Sequence, residues 1–157
     1  MGTDGERVSV SRVIPAPSEA IFALVADASR HPEIDGSGTV RQLKPGGPER
    51  LQLGDRFGMS MKMGISYSME NEVIEFEPNR RIAWQARPAG LLRNLVGGRI
   101  WRYELEPVEG GTRVTETWDI SQDRQKRFLK GGKFAEQTRR NMERTLERIE
   151  QLVTGRS

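Results

Sequence analysis

The segment VSVSRVIPAPSEAIFALVADASRHPEIDG, residues 8–36, decides the fold of the chain. Val8 and Val10 alternate with polar residues, a pattern that is typical of a half-buried strand. The prolines at positions 15 and 17 end the strand, because proline cannot donate to a strand ladder. Ser18 is the predicted N-cap of a helix, whose apolar stripe consists of Ile21, Phe22, Leu24 and Val25. A second, short helix is predicted to begin near residue 29 and to end near residue 34.

The rest of the chain divides into strands and one long helix. Apolar residues between turn signals predict strands over residues 39–43, 56–63, 66–77, 81–86, 99–107 and 112–120. A turn at residues 109–111 predicts that the last two strands form a hairpin. From about residue 134, apolar residues recur every three or four positions, which predicts an amphipathic helix of roughly twenty residues. One sheet packed on this helix would bury both apolar faces.

Four segments of the chain resemble one superfamily, namely IPAPSEAIF (14–22), VADASRHPEI (25–34), VIEFEPNRRIAW (73–84) and GGTRVTETWDI (110–120). Together with the order of elements, they make the chain similar to the SRPBCC proteins, also called START-like or helix-grip proteins. The similarity is greatest to the polyketide cyclase/dehydrase and lipid-transport branch. It implies an α+β fold, in which a curved seven-stranded antiparallel sheet surrounds a long C-terminal helix, two short helices follow the first strand, and an internal cavity lies between.

The same resemblance implies a class of ligand. Members of the superfamily bind hydrophobic small molecules such as lipids, polyketides or aromatic compounds. We therefore expect the chain to bind or transport such a molecule in an internal cavity. One alternative is an enzyme of the polyketide cyclase/dehydratase type that uses a cavity carboxylate, and a second is a ligand-free protein-interaction module, as co-chaperone members of the superfamily would allow. The fold alone does not decide between these functions.

The composition excludes several kinds of chemistry. The chain contains no Cys and one His, which rules out a disulfide framework, a thiolate metal site and a two-histidine metal motif. We therefore expect no metal and no cofactor. The N-terminal residues show no signal peptide and no apolar run approaches about 20 residues, so we expect no integral membrane segment and a cytoplasmic location. A length of 157 residues predicts one domain over residues 1–157, present as a monomer or homodimer.

The net charge of +3 is too small to indicate a nucleic-acid partner. The charge is also uneven along the chain. Ten Lys or Arg and five Asp or Glu follow Ser121, a net charge of +5, so the preceding residues carry −2. The basic region could meet an anionic partner or a membrane surface. A solvated helix face is the favoured interpretation, because Glu and Arg alternate at helical spacing.

The candidate ligand-binding residues lie mainly on the predicted strands. The methionines in MSMKM alternate, so their flexible thioethers share one strand face and would adapt to varied ligands. Large aromatic residues on neighbouring strands would offer flat surfaces and polar handles to a ligand. Ordinary core packing is the favoured interpretation of both sets. The full set of candidates is Met59, Met61, Met63, Tyr67, Asn71, Trp84, Leu91, Leu92, Trp101, Tyr103 and Trp118 on strands and loops, and Phe134, Thr138 and Met142 on the long helix.

Glu116 is the most informative carboxylate of the sequence. It lies between Val114 and Trp118 on one strand face, so the alternation points it inward. A carboxyl group in an apolar interior would have a raised pKa and could act as a general acid or base. In the other interpretation, the apolar face is interrupted here and Glu116 is solvated. Asn71 would face the same interior and could orient a ligand carbonyl, although Ile74 and Phe76 favour the opposite register for that strand.

Two further features have open interpretations. His31 precedes Pro32 in a segment that borders the cavity mouth in the resembling superfamily, so it is a second catalytic candidate. A surface or capping role is the favoured interpretation for a single histidine at this place. The apolar, glycine-bracketed segment at residues 89–98 contains Leu91 and Leu92. It could be a lid that moves on glycine hinges, or a short helix on the sheet edge.

Overall fold

The computed structural model describes residues 7–27, 30–35, 40–43, 51–63, 65–88, 98–123 and 132–155, without the side chains of residues 40–43, 59–63, 65–69, 87, 88, 132 and 134. The strands are β1 (Arg7–Ile14), β2 (Val40–Leu43), β3 (Arg56–Met63), β4 (Ile65–Glu77), β5 (Arg81–Pro88), β6 (Arg99–Val108) and β7 (Gly111–Asp119). The helices are α1 (Ser18–Val25), α2 (His31–Ile34) and α3 (Gly132–Thr154).

All strands join one antiparallel sheet in the order β1-β7-β6-β5-β4-β3-β2. Six long strands form its body, and the four-residue β2 adds a short edge beside β3. The first strand, β1, pairs with the last, β7. From β7 back to β3, each strand pairs with the strand that precedes it in the chain. The predicted α+β helix-grip architecture is confirmed, with two short helices after β1 and the long helix at the end of the chain.

One face of the sheet packs against the three helices, and we call it the inner face. Two cross-strand rows define it, Val8–Trp118–Trp101–Trp84–Val73 and Val10–Glu116–Tyr103–Ile82–Phe76. Helix α3 packs on the β1 and β7 end of these rows with an apolar stripe, as its spacing predicts. The stripe consists of Met142, Leu146 and Ile149, which are buried, and Ala135 and Val153, which are partly buried.

A bulge in β4 resolves the uncertain register of that strand. The pairing with β5 shifts between Val73 and Glu75, which moves each following residue to the opposite face. Asn71 and Val73 therefore lie on the inner face before the bulge, as one interpretation predicts. Phe76 lies on the same face after it, where its ring meets Phe22 at 5.6 Å. Each of the two competing alternation patterns holds for its own half of the strand.

The start of α1 differs from the prediction. The helix begins at Ser18, and Pro17 is the N-cap residue without a side-chain cap. The Ser18 hydroxyl instead lies 3.2 Å from the Thr112 hydroxyl, which in turn donates to the Ala16 carbonyl at 2.8 Å. These contacts join the loop after β1 to the start of β7. Gly111 is required there, because a Cβ atom would lie 2.0 Å from the Ile14 carbonyl oxygen.

Candidate functional site

Glu116 and Tyr103 form a polar pair in the interior of the protein. The two residues are direct partners across β6 and β7, and both belong to the inner face. The hydroxyl of Tyr103 donates a hydrogen bond of 2.9 Å to Oε2 of Glu116. Glu116 is only 3% exposed, and Val10 and Ile82 flank the pair in its cross-strand row. The inward orientation that the alternation predicts for Glu116 is confirmed.

The second carboxyl oxygen of Glu116 has no hydrogen-bond partner. Oε1 is a buried side-chain atom without a donor or acceptor in the described part of the chain. Burial raises the pKa of Glu116 to about 8, the hydrogen bond from Tyr103 opposes this increase, and the negative charge of Asp35 adds to it. Burial, together with Glu116, also raises the pKa of Tyr103 well above its usual value. Both groups therefore carry their protons at neutral pH.

Aromatic rings surround the neighbouring part of the interior. The Trp84 ring lies 5.7 Å from Tyr103 and 5.7 Å from Phe57, and it stacks on the His31 imidazole at 4.8 Å. Trp101 and Trp118, in the same cross-strand row as Trp84, form a second aromatic contact at 6.5 Å. Phe57 was not among the candidate residues. Its position two residues before Met59 puts it in phase with the methionine alternation, and that signal could have identified it.

His31 lies inside the protein, so the surface role that the sequence favoured is wrong, whereas the alternative capping role is confirmed, because the imidazole binds the last carbonyl of α1. The residue is 4% exposed at the start of α2. Its Nε2 lies 2.8 Å from the Val25 carbonyl, so this nitrogen carries the proton and donates it. Burial lowers the pKa of His31, although the Val25 carbonyl and the charges of Asp27 and Asp35 oppose the change. The imidazole is a neutral link between α1, α2 and the sheet.

A sequence model of one family matches residues 6–154 of the chain, and the family is described as polyketide cyclase/dehydrase and lipid transport. The chain belongs to this family. Its relative Rv0088 of Mycobacterium tuberculosis, an uncharacterized protein, is 40% identical over 116 residues. The aligned region is 72% of this chain and 47% of Rv0088. This polyketide cyclase/dehydrase and lipid transport chain thus spans about half the length of the curated relatives that it matches.

Solved structures share the fold of this family member. NE0264 from Nitrosomonas europaea has a TM-score of 0.72 at 15% identity, covering 98% of this chain and 97% of that one. CV1439 from Chromobacterium violaceum has a TM-score of 0.71 at 17% identity, with coverages of 94% and 96%. DynU16, a protein of the dynemicin biosynthetic locus, has a TM-score of 0.67 at 19% identity, with coverages of 96% and 48%. At such identities the likeness shows the fold alone.

The structure brings some of the predicted ligand-binding residues of this family member together. Trp84, Trp101, Tyr103, Trp118 and Asn71 all belong to the inner face. The Asn71 side chain is buried and makes one long contact of 3.5 Å, from its Nδ2 to the Phe57 carbonyl. Met142 is buried on α3, whereas Thr138 is partly exposed one turn earlier.

Other candidates fall outside the described parts. Backbone pairing places Met59 opposite Met69, Met61 opposite Tyr67 and Met63 opposite Ile65, but their side chains are not described. The Phe134 side chain, Leu91 and Leu92 also lie outside the described residues, together with residues 89–97 of the proposed lid.

Gly98 at the end of that segment is held in place. Its N–H donates to the Ala86 carbonyl at 2.9 Å, and its own carbonyl accepts a bond of 2.9 Å from Gln85. A Cβ atom at Gly98 would lie 2.7 Å from the backbone oxygen of Gln122. Its φ of 108° and this close approach require glycine for packing. Gly98 is therefore an anchor in the described structure, and its packing does not support a hinge at this position.

The outer face of the sheet carries a network of ion pairs that the sequence interpretation missed. Arg102 donates two bonds to Glu75, at 2.9 and 2.6 Å, and its guanidinium lies 3.8 Å from Asp119. Arg7 pairs with Asp119 from the other side at 3.0 Å. Here we call these four residues the outer network. A nearby surface cleft of about 340 Å³ is lined mainly by paired charges, so it differs from the predicted apolar interior.

The described residues form neither a metal-binding cluster nor a membrane-spanning helix. Within those ranges, no three His, Asp or Glu side chains come close enough together to hold a metal ion. Among the same residues, no helix is both long and apolar enough to cross a membrane. On α3, Arg139 pairs with Glu136 and Glu143, which agrees with a solvated face of alternating charges.

Proposed function

We propose that the chain binds a hydrophobic small molecule, such as a lipid, polyketide or aromatic compound, between the inner face and α3. Membership of the polyketide cyclase/dehydrase and lipid transport family supports this class of ligand. The aromatic contacts of Trp84 with Tyr103 and Phe57 supply the flat apolar surfaces that such a ligand needs. The pair of Tyr103 and Glu116 is the polar end of the proposed site.

The unpartnered Oε1 of Glu116 is the observation that carries the proposal. Burying a carboxyl group without a partner costs free energy, and an apolar residue of similar size would pack at less cost. Oxygen atoms of this kind therefore need an explanation beyond stability. A bound molecule that offers a polar atom to Oε1 would satisfy the group, and it would explain why a titratable residue lies in an apolar cross-strand row.

Binding can be tested on the purified protein without knowing the ligand. Native mass spectrometry should show an apolar molecule that purified with the chain, and the neutral dye N-phenyl-1-naphthylamine should bind and be displaced by lipids or aromatic compounds. Glu116→Leu should change the order of displacement, whereas Glu109→Gln on the exposed β6–β7 turn should not. If no dye and no lipid or aromatic compound binds, the proposal fails and a protein-interaction module becomes the better hypothesis.

A second candidate function is catalysis of a dehydration or cyclisation, and the protonation state of Glu116 favours it. A neutral carboxylic acid can give a proton to a leaving hydroxyl group or to a carbonyl oxygen. The pKa of about 8 keeps Glu116 in this form at neutral pH, with Tyr103 hydrogen-bonded to it. His31 is the other catalytic candidate, but its Nε2 proton is already donated to Val25.

The enzymatic hypothesis has a direct assay. A β-hydroxyketone such as 4-hydroxy-4-phenylbutan-2-one loses water to give a conjugated enone, whose ultraviolet absorbance reports the reaction. Wild-type protein should accelerate this reaction, and Glu116→Gln should abolish the acceleration while the protein stays folded. A rate that is unchanged in Glu116→Gln would show that Glu116 is not the acid.

A further inference from the structure

We infer that Glu116 donates a hydrogen bond from Oε1 to an acceptor oxygen of a neutral ligand, such as a ketone or ester, and that the site rejects a carboxylate of the same shape. This inference rests on the proposed function, because it needs a ligand in the interior. It adds the chemical class of that ligand.

The hydrogen bond from Tyr103 decides which oxygen offers the proton. Oε2 accepts the Tyr103 hydroxyl at 2.9 Å, so Oε2 is the carbonyl-like oxygen of a protonated carboxyl. The proton then lies on Oε1, the atom that has no partner. A protonated carboxyl in this arrangement is a hydrogen-bond donor, and it needs an acceptor. Ketone, ester and ether oxygens are acceptors that most apolar molecules can carry.

The charges near Glu116 disfavour an anion. Within the described residues, no ion pair involves Glu116. The charged group that acts on it is Asp35, which follows α2 and is itself negative. Arg148 on α3 donates to the Asp35 backbone carbonyl. On α2, His31 has a lowered pKa and is neutral. A ligand carboxylate beside Oε1 would therefore be buried near a negative charge, which is costly.

Three compounds of matched shape test the inference. 2-Acetylnaphthalene has an acceptor oxygen and no charge, 2-naphthoate has a carboxylate, and 2-isopropenylnaphthalene has neither. Their affinities are measured by calorimetry at pH 7, with dye displacement as a second readout. We expect the ketone to bind about tenfold more tightly than the hydrocarbon, the advantage of roughly one hydrogen bond. The carboxylate should bind more weakly than either.

The variants separate the proton donor from the shape of the site. Glu116→Gln keeps a donor, since its amide nitrogen can replace Oε1, so the ketone preference should remain. Glu116→Leu removes the donor, so ketone and hydrocarbon should bind equally. In wild-type protein the preference should disappear above pH 8, when Glu116 loses its proton, but in Glu116→Gln it should not change with pH. Glu109→Gln on the exposed turn should behave like wild type.

If the naphthalenes and the dye all fail to bind, the proposed function fails, and this inference fails with it. If the hydrocarbon binds as tightly as the ketone to wild-type protein, the binding function stands and the inference is overturned. Tighter binding of 2-naphthoate, or a ketone preference that survives in Glu116→Leu, overturns it as well.

Discussion

Two carboxyl groups on β7 lie three residues apart and have opposite charge states. Glu116 is on the inner face, where burial raises its pKa to about 8. Asp119 is just as inaccessible at its side chain, 4% exposed, and it belongs to the outer network. Burial alone would raise its pKa as well, but hydrogen bonds from Ser121 and Arg7 outweigh that effect and lower it. One strand thus holds a protonated carboxyl and an ionised one.

The difference shows that hydrogen-bond donors and nearby cations keep a carboxylate of low exposure ionised, whereas burial without such partners favours the protonated form. Asp119 has donors on both of its oxygens and two arginines nearby. Among the described residues, Glu116 has one hydrogen-bond donor, the phenol of Tyr103, and its Oε1 has no partner. A carboxylate with a complete set of donors serves the stability of the folded chain. A carboxyl with an open position is available to a ligand, and this is why the inner face is the proposed site.

The largest expected effect is on the pH dependence of stability, and Glu116→Gln measures it. Between pH 4.5 and 8 the folded protein keeps a proton on Glu116 that the unfolded chain has released. The free energy of unfolding of wild-type protein therefore falls as pH rises through this range, by at most about 1.4 kcal/mol per unit and by about 4 kcal/mol in all, because the slope flattens near each pKa. Glu116→Gln lacks this loss, so its stability relative to wild type should rise with pH in urea denaturation.

Asp119→Asn tests the opposite pH dependence, in which stability is lost as the pH falls. The pKa of Asp119 is lowered, so the ion stabilises the fold above pH 3.8, and this contribution disappears as pH falls further. Wild-type protein should lose its advantage over Asp119→Asn only in acid. If the stability of Glu116→Gln relative to wild type does not change between pH 5 and pH 8, Glu116 is ionised in the folded protein.

The next effect comes from removing the central cation of the outer network. Arg102 is 19% exposed and binds Glu75 through two bonds. Arg102→Met should lower the free energy of unfolding by about 2 kcal/mol, because two carboxylates lose their shared partner. Arg56→Met is the matched control on β3, since Arg56 is 61% exposed and lies 3.6 Å or more from its partners. The control should change stability by less than about 0.5 kcal/mol. Equal losses would mean that the network is no more than a surface pairing.

His31→Gln tests a second buried titratable group that packs against the inner face, and its effect on stability changes in the acid range. The loss of the stacking contact with Trp84 and of the edge-on contact with Phe57 should cost about 2 kcal/mol at pH 7. Burial lowers the pKa of His31, so below pH 6.5 the unfolded chain binds a proton that the folded protein does not. The stability of wild-type protein therefore decreases relative to the variant as the pH is lowered. The difference in stability between the two proteins should narrow from pH 7 to pH 5.5 in thermal unfolding. A gap that widens in acid would mean that His31 is charged inside the protein.

The inward orientation of Glu116 could be predicted from the sequence, because alternation along β7 is a local property. Val114 and Trp118 mark the inner face, and Glu116 lies between them. The contact with Tyr103 was also within reach. A turn at Glu109 and Gly110 pairs Val108 with Gly111, and counting back along both strands brings Tyr103 opposite Glu116. The hairpin turn was predicted, whereas the pairing of these two side chains was missed.

Other features depend on contacts that local patterns do not encode. The bulge after Val73 lets one apolar pattern of β4 face inward before it and the other after it, and the alternation alone does not show where the pattern changes. The burial of His31 depends on how α2 packs against β5, over a long separation in the chain. The outer network joins four strands, and each of its charged residues taken alone is typical of a solvated strand face.

The smallest expected effect concerns the bond that links Tyr103 to Glu116. Tyr103→Phe keeps the ring contact with Trp84 and removes only the hydroxyl, so the loss at pH 6 should be about 1 kcal/mol, the net value of a neutral hydrogen bond. Above pH 8 the loss should increase, because Glu116 is then ionised and its negative charge depends more on its only donor. A double-mutant cycle with Glu116→Gln isolates this term from changes in packing. Coupling that is larger at pH 9 than at pH 6 would show that the phenol stabilises the ion. Coupling independent of pH would mean that Glu116 does not change charge over this range, and it would remove the contrast with Asp119.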